Sequence, residues 1–206
     1  MFSKERGITL IEVIVVMVIV TMFSMILIAD FPKILRQFAI SRASYKLSQD
    51  IRRTEDLGLS GVQIGQNVKA QGYGVYIDVA DDKKYIIYAD RGPLDLQGHS
   101  LANQQYDTTT QYCDQITDLD PNLDCIVESV DISKQESGIY IKEINGGNGI
   151  WASLNFKPPN PDILLKTSAT SGSAGENSIE IKLGSSADDS LERIISVNKS
   201  GLIEVK

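Results

Sequence analysis

Gly7-Ile8-Thr9-Leu10-Ile11-Glu12-Val13-Ile14-Val15-Val16 opens an apolar run that reaches Ala29 and contains one carboxylate, that of Glu12. From Ile8 to Ala29 the run is about 22 residues, or about 33 Å as an α-helix, enough to cross a hydrocarbon layer of roughly 30 Å. A secretory signal has a shorter apolar core, about 7–15 residues, ending at a small-residue cleavage site. Ile26-Leu27-Ile28-Ala29-Asp30 has no A-x-A pattern, so the segment is expected to stay on the mature chain. Glu12 is then expensive. A carboxylate inside a spanning helix costs roughly 2.5–3.5 kcal/mol on insertion scales, and something must compensate it.

The run is preceded by a short polar leader, Met1-Phe2-Ser3-Lys4-Glu5-Arg6-Gly7. Lys4-Glu5-Arg6-Gly7 followed by Ile8-Thr9-Leu10-Ile11-Glu12-Val13 resembles the prepilin signal of the type IV pilin and type II secretion pseudopilin family. That resemblance implies cleavage after Gly7 by a membrane aspartyl prepilin peptidase and N-methylation of the new amine at Ile8. It also implies that Glu12 pairs with the terminal amine of a neighbouring subunit as the helices bundle into a pilus or pseudopilus. The implied partners are the peptidase, other pilin or pseudopilin subunits, an inner-membrane assembly platform, and membrane lipids before assembly. The pair would offset two desolvated charges together, which makes Glu12 a register device: a misplaced subunit leaves it unpaired. The sequence departs from the family in having Ile8 where phenylalanine is commonest.

Charge bias does not orient the helix by itself, because Lys33, Arg36, Arg42 and Lys46 follow the span while only Lys4 and Arg6 precede it. The prepilin resemblance places the leader in the cytoplasm and the rest of the chain beyond the inner membrane. The two cysteines, Cys113 and Cys125, agree with that side. A disulfide between them would close a short loop, contribute roughly 3 kcal/mol in the chain-entropy model and persist only in an oxidising compartment. Two free thiols or a metal pair are the alternatives. No histidine lies near in sequence, and the single histidine, His99, reads as a solvated loop residue.

Beyond the span, Asp30-Phe31-Pro32 interrupts the pattern, and the spacing of Ile34, Leu35, Phe38, Ala39, Ala43, Leu47 and Ile51 predicts an amphipathic helix. Pro32 is expected to kink it, and Gly58 and Gly61 to end it. The remainder reads as β. Gly74–Val79 and Tyr85–Ala89 form an expected hairpin across Ala80-Asp81-Asp82-Lys83-Lys84. Further strands are expected at Cys125–Ile132, Gly138–Ile144, Ile150–Phe156, Ser178–Leu183, Arg193–Val197 and Leu202–Val205. The last three form a meander separated by Gly184–Leu191 and Asn198-Lys199-Ser200-Gly201. Loops are expected over Gly92–Thr117, Lys157–Pro161 and Thr167–Asn177.

One long helix followed by many strands predicts an α+β fold, with an antiparallel sheet or small sandwich packed on the helix. The chain divides into a leader (1–7), a transmembrane helix half (8–29), an amphipathic half (30–60) and an extracytoplasmic β-rich domain (61–206). Arg52-Arg53, Gly72-Tyr73-Gly74-Val75-Tyr76 and Ile195-Ser196-Val197-Asn198-Lys199-Ser200-Gly201-Leu202-Ile203 resemble GspH/FimT-type minor subunits of the family.

The chain is acidic at net −7, which speaks against a simple electrostatic nucleic-acid surface. Asp118, Asp120, Asn122 and Asp124 place oxygens at every second residue, like the start of a calcium loop. Leu123 and Ser129 then stand where an EF-hand needs glycine and glutamate. A non-EF calcium site and a plain solvated acidic loop both fit, and no other cofactor is expected. No nucleophile elbow, zinc-protease motif or P-loop is present, and Gly146-Gly147-Asn148-Gly149 reads as a turn. The expected function is structural rather than enzymatic. The alternative is a membrane-tethered extracytoplasmic β domain that binds a ligand or partner.

Overall fold

The computed structural model describes residues 7–61, 70–91, 104–107, 111–115, 124–157, 163–169 and 175–206. One helix dominates the N-terminal part: α1 spans Leu10–Ser60. It runs through Asp30-Phe31-Pro32, so the expected interruption does not occur. Proline lacks only its own N–H, and in a helix this long the turns on either side propagate across one missing bond. The stop is at Gly61, whose φ of +58° suits the left-handed residue that follows a helix. Gly58 does not end the helix. It lies inside the last turn, where an added Cβ would stand 2.7 Å from both the Cβ and the carbonyl oxygen of Phe156. Glycine there permits close approach of a strand.

The chain forms two compact units, Met1–Phe38 and Ala39–Lys206. Among the described residues the second contains the last part of α1, nine strands, one short α-helix and three short 3-10 segments. The strands are β1 (Gly72–Asp78), β2 (Lys84–Asp90), β3 (Cys125–Asp131), β4 (Ile139–Ile144), β5 (Trp151–Phe156), β6 (Ile163–Thr167), β7 (Ser178–Ser185), β8 (Asp188–Asn198) and β9 (Ile203–Val205), with α2 at Ile132–Gln135. They build two antiparallel sheets, in the orders β3-β2-β1-β5-β6 and β4-β7-β8-β9. The β1–β2 hairpin and the β7–β8–β9 meander are both present. The fold is α+β with two sheets.

Two strands depart from the sequence reading. Ile163-Leu164-Leu165-Lys166-Thr167 was not expected as a strand, yet it pairs with β5 in register and buries Ile163, Leu165 and Thr167 alternately. Its three apolar residues in a row mask that alternation. The separator expected over Gly184–Leu191 is only a tight turn, since β8 begins at Asp188. The first residues of β8 are exposed or half-buried, so polar side chains are tolerated there.

Burial along α1 in the second unit follows helical spacing: Ile40, Ala43, Leu47 and Ile51, with Ser44, Ser48 and Thr54 also buried. Each buried hydroxyl bonds a backbone carbonyl three or four residues back, which satisfies it inside the helix. The apolar stripe joins one core with Val75, Ile87 and Leu154 of the first sheet and Ile141, Ile181 and Ile195 of the second. Each such side chain contributes roughly 1.5–3 kcal/mol on burial. Polar ties supplement the core: Arg53 Nη1 to Glu128 at 2.8 Å, Arg42 Nε to Glu136 at 2.7 Å, and Arg52 Nη2 donating to the Ile203 carbonyl at 3.3 Å. Asp50, 3% exposed, accepts from Lys46 Nζ at 2.6 Å and from the hydroxyl of buried Tyr85.

Candidate functional site

In the first unit, the described residues from Gly7 to Ile28 are exposed. Ile8 and Leu10 are each 79% exposed, and the following valines, isoleucines and methionines lie open around the whole circumference. A helix apolar all round belongs in an apolar medium. Its internal polar groups suit that setting. The Thr21 hydroxyl donates to the carbonyls of Met17 and Val18, each at 2.9 Å, and the Ser24 hydroxyl to that of Val20 at 2.8 Å, leaving no hydroxyl to be solvated. Among the described residues, α1 is the one helix long and apolar enough to span a membrane.

At its start the sequence builds a cap. Thr9 precedes the first helical residue, and its carbonyl accepts from Val13 N. Glu12 Oε2 accepts from Thr9 N at 2.9 Å and from Thr9 Oγ1 at 2.8 Å, while Glu12 N donates to Thr9 Oγ1 at 3.4 Å. This reciprocal pairing of Thr-x-x-Glu is a capping box. In the sequence Glu12 stands out as an isolated charge, while Thr9 carries the subtler signal: a threonine three residues before a glutamate at the head of an apolar run is the pattern's signature.

The box and the helix dipole, which favours a carboxylate in the first turn, both offset the cost of placing Glu12 in a spanning helix. Glu12 also retains one carboxylate oxygen, Oε1, outside the box. Because Gly7 is exposed and lies ahead of the helix, a cut after it would spare the box: Thr9 N stays a peptide amide, and only Ile8 N becomes an amine.

In the second unit, Cys113 and Cys125 form a disulfide, with both residues buried. Next to it, Asp124 is fully buried and accepts backbone hydrogen bonds from Arg91 N at 3.0 Å and Asp107 N at 2.8 Å. One carboxylate thus ties together three segments of chain. Asp90, 1% exposed, accepts from Asn155 Nδ2 at 3.1 Å, and its Oδ1 is buried with no hydrogen-bond partner. Burial raises the Asp90 carboxyl to about 7, helped by the charge of Asp124. Burial likewise raises Asp124 to about 7, against the lowering effect of its two amide bonds. Asp118, Asp120, Asn122 and His99 lie outside the described residues. Among those described, no three His, Cys, Asp or Glu side chains come together as metal ligands.

The N-terminal segment is thus an exposed apolar helix long enough to cross a membrane, with a capped glutamate at its head. Residues 2–28 match the family model described as the prokaryotic N-terminal methylation motif. No curated protein and no solved structure matches the chain.

Proposed function

We propose that the chain is the precursor of a type IV pilin-like or pseudopilin structural subunit, cut after Gly7, methylated at Ile8 and assembled through α1 into a pilus or pseudopilus. Before assembly α1 anchors it in the inner membrane, with residues 61–206 outside the cytoplasm. The observation that carries this reading is the capped Glu12 at the head of an exposed apolar helix, one helical turn from the amine that cleavage would create. The capping box engages Oε2 of Glu12, and a neighbouring subunit's amine would complete the compensation at the other oxygen. A buried disulfide is consistent with an oxidising location for the head. A mostly β head behind the helix supports a minor subunit of the GspH/FimT type.

The test is Glu12→Ala in a strain carrying the cognate assembly system. Cleavage is expected to continue, while incorporation into filaments, read from sheared fractions by immunoblot, falls at least tenfold. Incorporation at the wild-type level would refute the register role. A tether that only displays the head would show no filament fraction for the wild-type chain either.

A further inference from the structure

A cleft of about 640 Å³ opens in the second unit where the β1–β2 turn, α2, the residues leading into β4 and the β7–β8 hairpin converge. Its walls are joined by backbone bonds: Ile141 N to Asp82 O at 2.7 Å, Ile132 N to Lys83 O at 2.8 Å, and Ser186 N to Gly138 O at 2.8 Å. The shape therefore exists without a ligand to order it, which lowers the entropic cost of binding.

One glycine lies in its lining and a second lies behind the Tyr140 ring. At Gly138, with φ at +83°, an added Cβ would stand 3.0 Å from Ser186 Oγ. At Gly184, which is paired with Tyr140 across the sheet, an added Cβ would meet the ring Cζ at 3.3 Å, so the Tyr140 ring lies against the β7 backbone. The half-exposed ring thereby becomes part of the wall. Asp82, Ser137, Ser186 and Asp189 also line the cleft. Among the described residues, none of these four side chains is hydrogen-bonded to another part of the protein.

The chemistry of the lining selects its ligand. Of the lining residues two are carboxylates and one, Lys83, is an ammonium, and the nearby Lys142, which donates to the Asp189 carbonyl, is neutralised by Glu192; this balance disfavours phosphate, sulfate and carboxylate ligands. Carboxylate and hydroxyl walls disfavour an acyl chain, whose burial would strand them. Free carboxylates accept from vicinal hydroxyls, serine hydroxyls both accept and donate, and an aromatic face covers the C–H side of a sugar ring. We propose that this cleft binds a neutral oligosaccharide, with Tyr140 as the stacking surface and Asp82 and Asp189 as hydroxyl acceptors. The site stands apart from the assembly role of α1 and does not depend on it.

The test is saturation-transfer NMR on the full chain in a detergent without a sugar head group, with cellotriose, maltotriose and triacetylchitotriose as probes. Saturation is expected on the ring C–H protons of at least one of them. Tyr140→Ala should weaken that binding at least tenfold. Ser137→Trp and, from the opposite wall, Ser186→Tyr should each abolish it while leaving the melting temperature unchanged. Absence of saturation on all three trisaccharides, or binding that survives both blocking variants, would overturn the proposal.

Discussion

Replacing Asp90 by asparagine is expected to stabilise the protein at pH 8 and to leave it nearly unchanged at pH 5. Asp90 is 1% exposed, accepts from Asn155 Nδ2, and has a second oxygen that is buried without a partner. Its folded pKa of about 7 lies above the ordinary value of 3.8, so the folded chain holds the proton over a range where the unfolded chain has released it. Between those limits stability falls with rising pH, by about 1.4 kcal/mol per pH unit for each such group. For Asp90 alone that amounts to roughly 4 kcal/mol lost between pH 4 and pH 7, because an ionised carboxylate is then held out of water beside Asp124.

Asparagine keeps an acceptor for Asn155 Nδ2 and carries no charge, so it removes this group's share of the slope. The expected gain at pH 8 is roughly 2–4 kcal/mol after allowance for imperfect refitting of the new amide. Urea unfolding of the full chain, followed by fluorescence of the single tryptophan, Trp151 on β5, measures stability at half-unit steps from pH 5 to pH 8. Wild-type stability that stays flat or rises over that range would refute the reasoning. So would a slope that Asp90→Asn leaves unaltered.

Gly58→Ala is expected to destabilise the second unit by about 1–3 kcal/mol, although alanine is the better helix former by nearly 1 kcal/mol, because its methyl would meet the Phe156 backbone at 2.7 Å; an unchanged or raised urea midpoint would show that the approach is looser. Asp50→Ala is expected to cost about 2 kcal/mol, mostly by stranding the hydroxyl of Tyr85, which is 1% exposed. The double variant Asp50→Ala/Tyr85→Phe should then lose less than the sum of the two single changes, and strict additivity in a thermodynamic cycle would contradict the coupling.

What the sequence disclosed depended on how local the signal was. The stripe of Ala43, Leu47 and Ile51 and the alternation in β7 are period signals carried by neighbours in the chain, and the structure buries those residues, whereas Ile34, Leu35 and Phe38 of the same expected stripe are exposed. Gly58 looked like a helix stop because glycine's local meaning is termination. Its actual reason, contact with Phe156, lies almost one hundred residues away and leaves no mark nearby. β6 was missed because Ile163-Leu164-Leu165 shows no alternation until Lys166 and Thr167 complete it. At the membrane helix, Glu12 stood out as an isolated charge, whereas Thr9 looked ordinary although the box needs both residues. The electrostatic coupling of Asp90 to Asp124 leaves no mark in the chain, since burial makes that site and burial is a property of the fold.

The amine proposed to compensate Glu12 exists only after processing, so the N-terminus itself is what to measure. Intact-mass and N-terminal peptide analysis of the chain co-expressed with a prepilin peptidase should show residues 1–7 removed and Ile8 beginning the protein with one added methyl group. A chain that keeps Met1 through Gly7 in the presence of active peptidase would contradict the account.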